Sequence, residues 1–181
     1  NFYLENNIKF IKNEKIINVN FNLKQITSYT GNLYKYDKLL IATGSSSRQL
    51  KFDLEDKEIE NNIVYLRNIH DSVNIKDKLS LSKKILIIGG GFIGLEIASA
   101  ANQLGKEVVV VEMVNNLMGR VIPEQIAKII QKTHEDKGTQ FFLGKKIKKI
   151  VKNGKSFEAI LDSDERILTD LIVVGVGSQP N

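Results

Sequence analysis

Three glycines, Gly89, Gly91 and Gly94, follow directly on the apolar run Ile85-Leu86-Ile87-Ile88 and open a stretch rich in alanine and isoleucine. Their spacing, G-x-G-x-x-G, assigns each a physical task. The first allows a tight turn, the second lets main chain approach a pyrophosphate, and the third lets a helix lie close on a strand. Free N–H groups at the start of that helix favour an anion, so the chemistry in prospect is diphosphate binding. A second apolar run, Glu107 to Val111, stops at Glu112, eighteen residues after Gly94. A carboxylate there accepts hydrogen bonds from a ribose 2′-hydroxyl and repels a 2′-phosphate. The next basic residue along the chain is Arg120. A plain glycine turn would explain the glycines alone, and a solvated strand end would explain Glu112. Strand, helix, second strand and terminal acid in one register favour a dinucleotide, and NAD over NADP.

The elements that must position these residues are legible from residue 80 onward as alternating strand and helix, the pattern of a parallel α/β unit. A helix over Phe92–Leu104 is expected to bury Ile93, Ile97, Ala101 and Leu104 and to end at Gly105. A second helix starts at Pro123, stops at Gly138 and is expected to bury Ile126, Ile129, Ile130 and Thr133. Thr139–Leu143 would be the third parallel strand. Shorter strands follow around 145–151, 156–161 and 166–168, and Leu171–Val174 runs into Gly175-Val176-Gly177. Earlier in the chain, Ile8–Ile11, Ile16–Phe21, Lys24–Tyr29 and Leu39–Ile41 read as short strands between Asn- and Gly-containing turns, an antiparallel meander. The charged stretch 51–62, with Asp53, Glu55, Asp56, Lys57, Glu58 and Glu60, reads as a surface connector. The fold class is α/β: a Rossmann-like parallel sheet with helices and a small antiparallel meander.

With 181 residues, 42% of them hydrophobic, the chain can bury a sizeable core. No apolar run approaches the roughly 18 residues that span a bilayer, and the start lacks a signal-peptide pattern. The absence of cysteine removes disulfides, thiolate nucleophiles and cysteine-ligated metals, and is compatible with the cytoplasm. The net charge of +5 comes largely from scattered lysines. The densest group, Lys145, Lys146, Lys148 and Lys149, reads first as a solvated strand. An acidic protein partner is the second reading, and nucleic acid ranks lower because no aromatic residues interleave. His70 and His134 are read as structural, and no metal-ligand set or catalytic acid–base pair emerges.

A second segment, Tyr36-Asp37-Lys38-Leu39-Leu40-Ile41-Ala42-Thr43-Gly44, reads alone only as a buried strand ending in a small turn. Taken with the glycine loop, it resembles the Y-D-x-L-x-x-A-T-G segment of flavoprotein reductases that bind two dinucleotides. Within these, the chain is similar to the NADH-dependent ferredoxin reductases of oxygenase systems, relatives of apoptosis-inducing factor. Arg48 and Leu50, Val64-Tyr65-Leu66-Arg67 with Asp71, Leu117-Met118-Gly119-Arg120-Val121 and Gly175-Val176-Gly177-Ser178-Gln179-Pro180-Asn181 carry the same resemblance.

The resemblance implies part of a split FAD-binding domain at residues 1–67 and an NAD-binding domain at 68–181. It also implies an internal piece of a protein about twice as long, without the first FAD glycine motif, and so without a complete flavin site. It implies hydride transfer from NADH to FAD and electron transfer to a ferredoxin- or rubredoxin-like acceptor, chemistry carried by cofactors rather than by an acid, base or nucleophile. On the NAD side, Phe92 and Ile93 would flank the nicotinamide, Glu96 would lie near its carboxamide, and Gly175 and Gly177 would bring main chain close. On the flavin side, Ile16 would meet the adenine through its backbone, Thr43 and Gly44 would approach FAD, and Arg67 would contact it. Arg48 is read as structural. A disulfide reductase of the glutathione reductase type and an NADH-sensing module of the apoptosis-inducing-factor type are the competing readings.

Overall fold

Ile85, Leu86, Ile87 and Ile88 leave no polar face, and the chain buries both sides of the strand they form. The computed structural model describes residues 2–54, 56–119 and 121–181, so Glu55 and Arg120, both named above, lie outside the described residues. Two units are formed, one ending at Thr43 and one running from Gly44 to Asn181.

The first unit contains α1 (Phe2–Glu5) and a three-stranded antiparallel meander of β1 (Ile16–Asn20), β2 (Gln25–Ser28) and β3 (Leu33–Lys35). The expected strands at Ile8–Ile11 and Leu39–Ile41 do not form. A strand is defined by the ladder it joins. Nothing among the described residues pairs with either segment, and Leu40 is 87% exposed.

The second unit opens with β4 (Ser45–Ser47), a 3-10 helix (Lys57–Asn62), β5 (Ile63–Tyr65) and α2 (Ile69–Leu81). It continues through β6 (Lys84–Ile88), α3 (Phe92–Gln103), β7 (Glu107–Glu112), α4 (Glu124–Glu135) and β8 (Thr139–Leu143). It closes with β9 (Ile147–Asn153), β10 (Ser156–Leu161), β11 (Arg166–Thr169), β12 (Leu171–Val174) and β13 (Ser178–Pro180). Strands β5, β12, β6, β7 and β8 lie side by side in that order, all parallel. Strands β11, β10 and β9 form an antiparallel sheet, and β13 pairs with β4.

The period-2 alternation of a strand explains the layering. Ile85 and Ile87 point to the side where Ile75 and Leu79 of α2 and Ile97, Ala98 and Ala101 of α3 pack. Leu86 and Ile88 point to the other side, against Ile150, Phe157, Ala159 and Leu161 of the antiparallel sheet. Sheets covered on both faces read as continuous apolar runs, as these strands do.

Four expectations need correction here. The stretch 51–62 is not simply a surface connector, because its 3-10 helix, capped by Asp56, buries Ile59 completely. Helix α2 was not expected. Its start carries a capping box in which Asn68 accepts from the Asp71 N–H and Asp71 accepts from the Asn68 N–H. The buried face of α3 is Gly94, Leu95, Ile97, Ala98 and Ala101, whereas Ile93 and Leu104 are exposed. On α4 the buried residue is Ala127, with Ile130 partly covered, and Ile126, Ile129 and Thr133 face outward. A helix laid flat on a sheet buries its small residues where main chains approach and leaves bulky flanking residues at the edges. No helix among the described residues is long and apolar enough to cross a membrane.

Candidate functional site

The site grows from the carboxyl end of β6. Gly89 leaves the strand with φ +108°, a left-handed conformation that glycine adopts without a Cβ clash. A Cβ there would also lie 2.5 Å from the Gly175 carbonyl oxygen. Gly94 sits one helical turn later, and a Cβ on it would run into the Gly89 carbonyl oxygen, so α3 lies on the strand end only because this residue is glycine. Gly91 differs from both. Its φ of −86° suits any residue, and an added Cβ would meet nothing closer than the Gly175 oxygen at 4.0 Å. Its lack of a side chain leaves space rather than relieving a clash. Gly91 is also the N-cap of α3 and supplies no side-chain cap to the first amides of the helix, the kind of helix end that can receive an anion.

The peptide of Gly90 is held at both ends. Its N–H donates to Glu112 Oε2 at 2.6 Å, and its carbonyl accepts from the Met118 N–H at 3.0 Å. Glu112 Oε1 accepts from the Val114 N–H at 3.0 Å. Two main-chain donors thus fix the carboxylate at the end of β7, beside the glycine turn, with acceptor capacity remaining on each oxygen. Met118 takes φ +52°, uncommon for a side-chain-bearing residue, where its N–H reaches Gly90.

A cavity of about 650 Å³ opens over this turn. Gly89, Gly91, Phe92, Ile93, Glu112, Gly175 and Gly177 all line it. Phe92 is 57% exposed at the mouth. Gly177, at φ +101°, has open space where a Cβ would point. Gly94 works from behind, through packing. Glu96 lies on the exposed side of α3 and is not among the residues lining the cavity.

Of the flavin-side candidates, the structure brings Gly44 and Arg67 together. Arg67 Nε donates to the Ser45 carbonyl at 2.7 Å, and its Nη2 lies 4.0 Å from where a Gly44 Cβ would stand. Asp71 accepts the Arg67 backbone N–H at 2.8 Å. Ile16, half-exposed at the start of β1, and Thr43 belong to the other unit. His134 packs edge-on against Phe141 at 6.2 Å, and burial holds its imidazole below the usual histidine range. His70 sits in the first turn of α2, where its N–H donates to Asn68.

Several cavity residues escaped the sequence reading. Arg48 and Lys51 reach it from the strand-and-connector segment after β4, and Lys145 and Lys146 from the turn after β8. These residues are 30 or more positions from the glycine turn, and no local pattern connects them. Arg48 is anchored by its backbone N–H, which donates to the Gly177 carbonyl at 3.0 Å. Two lysines of the cluster are paired: Lys145 with Glu165 at 3.6 Å and Lys148 with Asp164 at 3.3 Å.

This geometry agrees with what comparison finds. The family described as pyridine nucleotide-disulphide oxidoreductase matches residues 2–181. The chain belongs to that family. It is 37% identical over 180 residues to the rubredoxin-NAD(+) reductase of Pseudomonas putida, covering 99% of this chain and 46% of that one. It is 34% identical over 178 residues to the 3-phenylpropionate/cinnamic acid dioxygenase ferredoxin–NAD(+) reductase component of Photorhabdus laumondii, covering 98% of this chain and 44% of the relative. Among solved structures, the ferredoxin reductase for the CYP199A2 system from Rhodopseudomonas palustris superposes with a TM-score of 0.87 at 28% identity, over 99% of this chain and 44% of that chain. The chain spans about half the length of the curated relatives it matches.

Proposed function

We propose that this chain forms the NADH-binding part, and a portion of the FAD-binding part, of a reductase that passes electrons to a ferredoxin- or rubredoxin-like protein. The single observation that carries the nucleotide reading is the open position at Gly91, at the uncapped start of α3, facing the cavity that Glu112 also lines. A diphosphate would lie there against main-chain amides, and Glu112, fixed beside the turn by the Gly90 and Val114 N–H groups, would accept from the neighbouring ribose. Gly177 leaves open space on the opposite wall, and Phe92 and Ile93 give an apolar surface for a nicotinamide ring.

The bound nucleotides supply the redox chemistry, in which a hydride leaves the nicotinamide for the flavin and electrons pass on to the acceptor. The residues of this chain bind and orient, and none is assigned as a general acid, base or nucleophile. Glu96, on the exposed side of α3, is assigned as a contact to the carboxamide. For FAD we assign Ile16, Thr43, Gly44 and Arg67, with residues 1–67 belonging to the flavin domain and 68–181 to the NAD domain. Arg67 retains guanidinium donors beyond the one given to Ser45, which suits a phosphate or ring carbonyl. We assign NAD rather than NADP, an iron–sulfur or rubredoxin-type protein as acceptor, in keeping with the relatives, and the cytoplasm as compartment.

The test is Glu112→Arg with NADH and NADPH titrated separately. NADH affinity should fall and NADPH affinity rise. An unchanged preference would remove Glu112 from the recognition of the ribose.

A further inference from the structure

The cavity that Glu112 lines is not acidic overall. Among the described residues, its charged lining is Glu112 against Arg48, Lys51, Lys145 and Lys146. The last two follow β8, the strand beside Glu112, where the adenosine would lie. Glu112 pairs in register with Leu143 across β7 and β8, and the chain then turns back over the strand end. Two main-chain hydrogen bonds fasten that turn to the acid's own segment. The Lys145 N–H donates to the Glu112 carbonyl at 3.1 Å, and the Gly144 N–H to the Val114 carbonyl at 3.1 Å. Gly144 takes φ +67°, a left-handed conformation that glycine adopts without a Cβ penalty, and this lets the turn close tightly. The basic turn is therefore a fixed wall of the site.

The two lysines are not equivalent. The Lys145 ammonium is paired with Glu165. Asp162 meets Lys146 through the backbone N–H at 3.1 Å, and among the described residues no carboxylate pairs with the Lys146 ammonium.

We infer that Lys146 is a second reader of the ribose 2′-position, opposed in sign to Glu112, so that NADH preference is set by a balance of two charges and a 2′-phosphate is tolerated rather than excluded. This rests on the nucleotide reading above. A 2′-phosphate placed beside Glu112 meets repulsion from the carboxylate and attraction from the Lys146 ammonium, which no carboxylate among the described residues pairs. An exposed cation contributes modestly and is screened by salt, which sets the size of the expected effect.

The experiment titrates the chain with ADP-ribose and with 2′-phospho-ADP-ribose at low salt, in wild type, Lys146→Ala, Lys146→Glu and Lys146→Arg. Lys146→Ala should weaken the 2′-phosphorylated ligand about fivefold and leave ADP-ribose within about twofold. Lys146→Glu should weaken it further, Lys146→Arg should keep the wild-type ratio, and 0.5 M salt should erase most of the difference. If ADP-ribose binds wild type and the ratio between the two ligands does not move in Lys146→Ala or Lys146→Glu, the assignment of Lys146 is overturned and the nucleotide site stands. If ADP-ribose itself fails to bind wild type, the nucleotide site falls and this inference falls with it.

Discussion

The parallel sheet and the N-terminal meander are both built from strands, yet they are held by different forces. In β6 the four residues Ile85–Ile88 are 1, 0, 0 and 7% exposed, sandwiched between helices and the antiparallel sheet. In the meander Ile17, Phe21 and Leu33 are 58, 68 and 61% exposed, and Ser28 is the one buried residue described there. Apolar burial cannot order such a unit. A polar node does so instead: Thr30 Oγ1, Asn32 Nδ2 and Tyr34 OH donate to Glu14 Oε1 at 2.6, 2.7 and 3.3 Å, while Ser28 and Thr30 share a hydrogen bond. Close packing in the sheet fixes the turn geometry tightly enough to leave a shaped gap at Gly91. The meander is tied instead by hydrogen bonds near solvent, and it carries candidate contacts.

The contrast is sharpest where main chain touches main chain. Gly94→Ala should have the largest effect, because its methyl meets the Gly89 carbonyl. Overpacking against backbone costs about 1–3 kcal/mol or more, so thermal unfolding of the second unit should shift down and nucleotide binding should be lost. A variant as stable as wild type would show that α3 does not rest on the strand end as described.

Asp170→Asn should be milder. Asp170 Oδ2 accepts the N–H groups of Lys83 and Lys84, both at 2.9 Å, and Oδ1 accepts from Ser156 at 2.7 Å, tying β6 to the antiparallel sheet. Burial pushes its carboxyl upward, but these hydrogen bonds outweigh that and hold it below the usual aspartate range. The loss should be about 1–2 kcal/mol by chemical denaturation, and the wild-type advantage should fade as pH falls through the depressed value.

The smallest effect belongs to the meander. The hydroxyls of Ser28 and Thr30 and the Asn32 amide hold the Glu14 carboxyl down from 4.5 to about 2. A depressed carboxyl adds stability above its unfolded value and loses it as pH drops toward its folded value. Amide-exchange protection in β2 and β3 should therefore decline between about pH 4.5 and about pH 2 in wild type. In Glu14→Gln protection should be lower at neutral pH and flat across that window, and an identical decline in both would remove Glu14 as the cause.

The same contrast marks what the sequence could disclose. The glycine turn was legible because backbone conformation and close approach dictate residue type locally, and the continuous apolar strands were legible because both their faces are covered. Asn68 and Asp71 mark the start of α2 by the three-residue spacing of an Asx cap and an acid, which is itself a local signal. The strand expected at Leu39–Ile41 could not be judged locally, since pairing is a property of a distant partner. Nor could the outward-facing Ile126 and Ile129, whose helical spacing alone suggested burial. The cavity walls at Arg48 and Lys145–Lys146 reach the glycine turn only through the packing of the second unit, so no window of sequence contains them.

Gly91→Ala tests the central claim most directly, because the methyl has room in the protein but none beneath a diphosphate. Unfolding should stay within about 0.5 kcal/mol of wild type, while NADH affinity measured by calorimetric titration should fall about tenfold or more. An alanine variant that binds NADH as tightly as wild type would contradict a nucleotide lying against this turn.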